Sequence, residues 1–176
     1  MIEACSSAAD AASVGSELPC STGVRPAPLT GVRPLCRHSG KPVPRQTVKS
    51  LLAVSLRSVA EADYHFCRTR RCPVVYFASA AGAPYTTADI RELVYQKEPE
   101  RDDVFVCYCF RHTMSELREA SAAAATRLML DITNGIQAGQ CACELRNPQG
   151  SCCLGNVRAS STQLSRSGAE RAAEQI

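Results

Sequence analysis

The sequence has no tryptophan, and aromatic residues make up only 5% of its 176 positions. Much of its 45% hydrophobic content is alanine and cysteine, so the chain can form only a thin apolar core. Small domains with thin cores commonly rely on a metal ion or on disulfides for stability. The composition therefore suggests that a metal or a covalent cross-link supplies part of the stability.

Three further features are missing. No stretch approaches 18 apolar residues, so we predict no membrane span. Residues 1–30 lack a basic start followed by an apolar run, so we predict no secretory signal and expect a cytoplasmic protein. The 20 basic and 17 acidic residues give a net charge of only +3, and this balance does not indicate a nucleic-acid partner.

Cysteine is the residue that the sequence has in excess, with 11 in the chain. In a secreted protein such a number indicates disulfides, whereas in the cytosol it indicates metal ligands or redox thiols. An odd number also fits a closed disulfide framework poorly. The sequence therefore predicts metal ligation.

Composition divides the chain into four segments. Residues 1–32 are rich in Ser, Ala, Gly and Pro without a period, which predicts a disordered leader. The charged run 97–103 separates a first unit, 33–103, from a second unit, 104–158. Residues 159–176 are polar and predict a flexible tail.

In the first unit, β-branched and aromatic runs at Tyr64–Phe66 and Val74–Phe77 predict strands. Residues 47–52 predict a third short strand or a turn-bounded apolar segment. Thr86 or Thr87 can cap a short helix through Leu93.

In the second unit, the run Thr113-Met114-Ser115-Glu116 is a capping box that opens a helix over about 114–124. An apolar stripe predicts a second helix that ends near Gly139; the stripe consists of Leu128, Met129, Ile132 and Ile136. The fold class is therefore α+β.

The first cysteine group consists of Cys36, Cys67 and Cys72. Four residues separate Cys67 from Cys72 between two predicted strands, so their thiolates can share a tetrahedral zinc ion with Cys36. A four-cysteine site would have another cysteine where the sequence has Arg33. His38 is the nearest substitute and Cys20 a distant one. The alternative is a set of buried structural thiols without metal.

The second cysteine group is denser, with six members inside residues 107–153. They are Cys107, Cys109, Cys141, Cys143, Cys152 and Cys153. Two predicted helices separate them, and the turn Asn147-Pro148-Gln149-Gly150 closes the group. Iron–sulfur clusters take four thiolates, so six candidates are available for one cluster. The alternative is one or two disulfides.

The second group resembles a known type of metalloprotein. The run Cys107-Tyr108-Cys109-Phe110 is followed, with 31 residues between Cys109 and Cys141, by Gly139-Gln140-Cys141. This pattern resembles the bacterioferritin-associated ferredoxin (BFD) type of 2Fe–2S domain, which has C-x-C, two helices and C-x-x-C. The sequence departs from it at Glu144, where that family has its last cysteine.

The rest of the pattern resembles the N-terminal domain of CopZ-type copper chaperones over roughly residues 33–158. The matching segments are Gly40-Lys41-Pro42-Val43, Phe66-Cys67 through Cys72, Val74-Val75-Tyr76-Phe77, and the ending from Cys141 to Val157 with its Asn147-Pro148-Gln149-Gly150-Ser151-Cys152-Cys153 run. This resemblance implies a small zinc-binding β unit followed by a helical, BFD-like 2Fe–2S unit. The full chaperones add a C-terminal heavy-metal-associated domain with an M-x-C-x-x-C copper loop, and this sequence contains no such motif.

The residues and the resemblance together predict two ligand sets. For the cluster, Cys107 and Cys109 match both families, Cys141 matches the ferredoxin spacing, and Cys153 ends the turn and can open the final helix. Cys143 and Cys152 are the alternates. For zinc, the predicted ligands are Cys36, Cys67 and Cys72, with His38 or water as the fourth.

The predicted function is electron transfer or copper and heavy-metal handling, including reduction of Cu(II) to Cu(I). Unused cysteines near the cluster are candidate ligands for Cu(I), a soft ion. We expect a redox partner or a copper-transport protein, and an electron carrier or metal chaperone rather than an enzyme. The alternatives are a redox- or metal-sensing interaction module and a thiol protein that captures Hg²⁺ at Cys152-Cys153.

Overall fold

Short strands rich in β-branched and aromatic residues build the first unit. The computed structural model describes residues 35–78 and 82–173, and within them four strands form one antiparallel sheet in the order β1-β2-β3-β4. The strands are β1 (Lys41–Val43), β2 (Tyr64–Phe66), β3 (Val74–Ala78) and β4 (Tyr85–Thr86). The two predicted strands, β2 and β3, are confirmed at the centre of the sheet, where Phe66 pairs with Tyr76.

A helix, α1 (Arg45–Leu51), occupies the segment expected to be a strand or a turn-bounded apolar segment at residues 47–52. Its buried residues are Thr47, Val48 and Leu51, which share one face at helical spacing. A short apolar run is compatible with the period of a strand and with that of a helix. The strand prediction is wrong, because the packing of these side chains favours the helix. The predicted helix after Thr86 is a single 3₁₀ turn, Thr87–Asp89.

The second unit combines a two-stranded ribbon with helices. The ribbon consists of β5 (Phe105–Cys107) and β6 (His112–Thr113). The described helices are α2 (Met114–Glu119), α3 (Ala122–Gln137), α4 (Cys143–Arg146) and α5 (Leu154–Ala173). The structure confirms the capping box, since the Glu116 N–H donates to the Thr113 hydroxyl and the Glu116 carboxylate accepts from the Thr113 N–H.

The helix expected over 114–124 is divided in two. Ala120 ends α2 in an extended conformation, and the Ser121 side chain caps α3 by accepting from the Ala124 N–H. A second N-cap inside the predicted segment therefore overrides its alanine-rich composition. The apolar stripe of α3 is confirmed, since Leu128 and Ile132 are buried in the core of the second unit.

Helix α5 continues to Ala173, through most of the segment expected to be a flexible tail. The predicted leader, 1–32, lies outside the described residues. The boundary near 97–103 stays a prediction. No helix in the described part of the chain is long and apolar enough to cross a membrane.

The two units contact each other through α1 and α4. The Thr47 hydroxyl donates to the Glu144 carbonyl at 2.5 Å, and the Ser50 hydroxyl donates to the Leu145 carbonyl at 2.7 Å. Gly150 approaches the same face, because a Cβ added there would lie 3.2 Å from the Thr47 hydroxyl oxygen. The first unit therefore supports the turn that carries cysteines of the second.

Candidate metal centres

The first cysteine group converges in the structure. The sulfurs of Cys36, Cys67 and Cys72 all lie within 4.8 Å of one another, and the Cys36 and Cys67 sulfurs are 3.6 Å apart. A tetrahedral zinc ion with Zn–S bonds of about 2.3 Å separates its sulfur ligands by roughly 3.8 Å. The three side chains therefore fit one zinc ion.

The central strands of the sheet position two of these cysteines. Cys67 directly follows β2, and Cys72 lies two residues before β3, so a single loop joins them. The Cys67 N–H donates to the Val75 carbonyl at 2.9 Å and extends the pairing into the loop. Arg71 and Arg37 adopt left-handed backbone conformations, with φ of 58° and 57°. Both arginines are next to cysteines of this candidate site, and sparsely populated conformations often occur at functional sites.

The surroundings of Cys36 and Cys72 shift their pKa values in opposite directions. Burial acts to raise the pKa of Cys36, but hydrogen bonds from the Thr69 side chain, the His38 N–H and the Cys67 thiol outweigh it and lower this pKa to about 6. Burial raises the pKa of Cys72, although the Val74 N–H donates to its sulfur. The metal-free centre therefore combines one thiolate with a thiol that retains its proton, which zinc would displace.

His38 is close to this centre but is not part of the sulfur group. Its side chain is exposed, and Nδ1 lies 2.7 Å from the Cys36 carbonyl oxygen. If Nδ1–H donates to that carbonyl, Nε2 keeps a free lone pair, which is the form of imidazole that binds a metal. The choice of His38 or water as the fourth ligand stays a prediction.

The second cysteine group forms a buried cluster of four. Cys107 ends β5, Cys143 begins α4, and Cys153 immediately precedes α5, while Cys109 lies in the loop after β5. The Cys109 and Cys143 sulfurs are 3.6 Å apart. Cys107, Cys143 and Cys153 are buried and Cys109 is half-buried. The count of four thiols meets the requirement of a 2Fe–2S cluster.

Contacts among the cysteine side chains and their burial shift the pKa values of this group. A hydrogen bond from Cys153 is the largest cause that lowers the pKa of Cys107 to about 7 and that of Cys143 to about 5. The same contacts raise the pKa of Cys153. Burial raises the pKa of Cys109 to about 12, although the Ala142 N–H donates to its sulfur at 3.3 Å. A metal group would therefore displace protons from Cys109 and Cys153, since the thiolate is the metal ligand.

The remaining two cysteines contact this group through the side chain of Cys143. Cys152 is exposed and Cys141 is half-buried. The predicted ligands Cys107, Cys109 and Cys153 are thus among the four, and the alternate Cys143 contacts Cys109, whereas the predicted ligand Cys141 does not. The assignment of Cys141 stays a prediction. The first turn of α4 turns Cys143 inward, and sequence spacing alone does not reveal this.

Asn147 and Phe110 shape the cysteine loops of the second unit. Asn147 is fully buried; its side-chain amide donates to the Ser151 carbonyl at 2.6 Å, and its side-chain oxygen accepts from the Gln149 N–H at 3.2 Å. Phe110, next to Cys109, packs so closely against Gly135 that an added Cβ would lie 2.3 Å from the ring. The Asn-Pro turn was visible in the sequence, but the Gly135 contact needs the fold.

His112, the histidine nearest to the second group in the sequence, is held by carboxylates. Its Nε2 lies 2.9 Å from an Asp131 carboxylate oxygen, and its Nδ1 lies 3.3 Å from a Glu116 carboxylate oxygen. Both ring nitrogens are therefore engaged, one with a carboxylate of α2 and the other with a carboxylate of α3. A histidine that activates a thiol as a general base needs a ring nitrogen within reach of the sulfur, and both nitrogens of His112 face carboxylates instead.

Comparison with known proteins supports the first centre. Residues 33–91 match the zf_CopZ family model, described as a zinc binding domain. This match spans Cys36, Cys67 and Cys72 and ends before the second cysteine group.

Over 70% of its length the chain is similar in structure to the X-ray structure of the Archaeoglobus fulgidus CopZ N-terminal domain. The two chains are 29% identical with a TM-score of 0.55, and the match covers 70% of this chain and 92% of that one. No curated protein sequence matches the chain significantly.

Proposed function

We propose that this protein handles metal by holding zinc at the first centre and a 2Fe–2S cluster at the second. The observation that carries the proposal is the convergence of the Cys36, Cys67 and Cys72 sulfurs within 4.8 Å, in a segment that matches a zinc binding domain. Structural zinc sites commonly replace an extensive core in small domains. Zinc therefore stabilises the sheet and, through α1, the turn of the second centre.

The side chains and backbone groups of the second centre are suited to bind a 2Fe–2S cluster. It offers four buried or half-buried sulfurs, with backbone N–H groups directed at the sulfurs of Cys107 and Cys109. Such hydrogen bonds and burial set the reduction potential of a cluster. When bound, the cluster supplies reversible one-electron chemistry. We propose a redox protein or a copper-transport protein as the partner.

Metal analysis after anaerobic purification or reconstitution tests the proposal. We expect about two iron, two inorganic sulfide and at most one zinc per chain, with a visible chromophore. A reversible one-electron couple without loss of the cluster would identify an electron carrier rather than a sensor that responds by losing it. A colourless protein after reconstitution would contradict the cluster, and a zinc-free protein would contradict the first centre.

The cysteines at the edge of the second centre favour a second function, the handling of Cu(I). Cys141 and Cys152 lie beside the group of four, where both contact Cys143, and soft thiolates favour Cu(I). Reduction of Cu(II) to Cu(I) consumes one electron, which an external one-electron donor protein must supply. Titration with Cu(I) against a chromogenic chelator should show binding that the double variant Cys141→Ser/Cys152→Ser loses. Equal Cu(I) uptake by both proteins would contradict this function.

A further inference from the structure

Lys97 is a buried cation at the back of the first centre. Only 4% of its surface is exposed. Its ammonium donates to the Cys67 carbonyl at 2.7 Å and to the Thr69 carbonyl at 2.9 Å. The ammonium also lies 5.6 Å from the centre of the Phe66 ring, in cation–π geometry. All of its polar contacts thus belong to the loop that joins Cys67 to Cys72.

No described carboxylate forms an ion pair with Lys97. The acidic residues nearest in the sequence are engaged elsewhere, since Glu98 pairs with Arg101 and Glu100 pairs with Arg70. A buried ammonium without an anionic partner is strongly unfavourable. The two carbonyl oxygens and the ring compensate only part of that charge, so a negatively charged group close to this loop would account for its burial.

The first centre is such a group when it holds zinc. Three thiolates around Zn²⁺ carry a net charge of −1. Lys97 is connected to this centre through two residues. It donates to the carbonyl of the ligand Cys67 and to the carbonyl of Thr69. The Thr69 side chain in turn hydrogen-bonds the Cys36 sulfur. The same contacts that hold the ammonium therefore fix the loop that brings the sulfurs together.

We propose that Lys97 is a positioning residue of the first metal centre: it fixes the Cys67–Cys72 loop and balances the charge of the thiolate site. This inference rests on the zinc site proposed above. A merely structural lysine would stabilise the folded chain to the same extent with and without zinc. A positioning lysine stabilises the zinc-loaded form more, because the difference appears as zinc affinity.

The experiment replaces Lys97 by methionine in the full chain, which keeps an unbranched apolar side chain and removes the charge. Zinc affinity is measured by competition with a chromogenic chelator, and melting temperatures are measured for the zinc-loaded and metal-free proteins. Lys49→Met, in α1, is the control for loss of a lysine in the same unit. We expect Lys97→Met to weaken zinc binding by at least about tenfold and to lower the melting temperature of the zinc-loaded form more, whereas Lys49→Met changes neither.

Equal zinc affinities of Lys97→Met and the unmodified protein, or equal loss of melting temperature in both forms, would overturn the inference alone. If Lys97→Met does not yield folded protein, Lys97→Gln takes its place with the same criteria, since its amide can still donate to one carbonyl but carries no charge. Absence of zinc from the unmodified protein would overturn the proposed function together with the inference. The two failures are therefore distinguishable.

Discussion

The hydroxyl of Tyr76 donates a hydrogen bond of 2.7 Å to the carbonyl of Pro148, and both residues are buried. Tyr76 lies in β3, the strand that follows Cys72. Pro148 lies in the turn between Cys143 and Cys153. A single buried bond thus connects the strand beside the first centre with the turn that carries two cysteines of the second.

Removing this bond should weaken the second centre without touching its ligands. Tyr76→Phe leaves the Pro148 carbonyl buried without a donor, which costs about 1–3 kcal/mol. We expect a lower free energy of unfolding in denaturant and faster bleaching of the reconstituted chromophore. Tyr85→Phe is the control, because its hydroxyl contacts only residues of the first unit among those described, the Ser58 carbonyl at 3.4 Å and the Tyr64 hydroxyl. Equal behaviour of the two variants would show that the bond does not couple the units.

Serine variants at Cys141 and Cys143 separate the sequence-based from the contact-based ligand assignment. Cys143 contacts Cys109 and is buried, whereas Cys141 is half-buried at the edge of the group. We expect Cys143→Ser and Cys109→Ser to lose or strongly perturb the visible spectrum, and Cys141→Ser to keep it. Cys5→Ser, far from both cysteine groups in the sequence, is the control for loss of a thiol. The opposite pattern at positions 141 and 143 would favour the ferredoxin spacing.

Because Gly135 has no side chain, it leaves space for the ring of Phe110 beside the Cys107–Cys109 loop. A Cβ at position 135 would lie 2.3 Å from the ring, so Gly135→Ala should displace Phe110 and destabilise the fold by about 1–3 kcal/mol. We expect faster cluster loss as well, measured by absorbance during chelator challenge.

The matched control is Gly155→Ala in α5, where an added Cβ meets no atom within 4 Å. Alanine is favoured over glycine in a helix by up to about 1 kcal/mol, so this variant should be as stable as the unmodified protein or more so. An equal gain in stability for both variants would show that Phe110 does not need the space at Gly135.

Local sequence signals predicted the parts of the fold that depend on short-range chemistry. The capping box at Thr113 and the aromatic strand at Tyr64–Phe66 follow from side-chain hydrogen bonds and β-propensity, and both are present. The helix at Arg45–Leu51 was missed because a short apolar run is compatible with both a strand and a helix. Its contact with α4, nearly 100 residues away, selects the helix.

In the candidate sites, too, residues close together in the sequence were predicted and residues brought together by the fold were missed. The spacing of Cys67 and Cys72 between two strands was enough to predict the first centre. Lys97 was assigned only to the charged run 97–103, and no feature of its neighbours in the sequence predicts that it is buried. Its role depends on the loop at Cys67 and Thr69, about 30 residues earlier, and only the folded chain brings them together.

Position 33 tests whether the first centre lacks a cysteine ligand. Zinc prefers four protein ligands in a closed structural site, and the sequence has Arg33 three residues before Cys36. We expect Arg33→Cys to slow the removal of zinc by a chelator relative to the unmodified protein. Arg33→Ser controls for loss of the arginine, and His38→Ala should speed removal if imidazole is the fourth ligand. Zinc held no more tightly by Arg33→Cys would show that position 33 is not a ligand position.

Cys36 should be the most reactive thiol of the metal-free first centre. Its pKa is lowered from an ordinary value of 9.0 to about 6, so at pH 7 it is largely thiolate, and its side chain is half-buried rather than buried. Cys67 and Cys72 are buried, and burial raises the pKa of Cys72. We therefore expect iodoacetamide at pH 7 to label Cys36 first, as measured by peptide mass mapping.

The lowered pKa of Cys36 determines how its labelling and its contribution to stability change with pH. Because the pKa of Cys36 is lowered on folding, its thiolate favours the folded metal-free protein above about pH 9, and this contribution is lost as the pH falls through about 6. Labelling of Cys36 should therefore fall off only below about pH 6, whereas an ordinary thiol already loses reactivity below about pH 9. Bound zinc should protect Cys36, because its sulfur would then be a ligand, and Cys36→Ser identifies the labelled peptide. If labelling of Cys36 followed the pH dependence of an ordinary thiol, the activated thiolate would be contradicted. If bound zinc did not suppress the labelling, the place of Cys36 in the first centre would be contradicted.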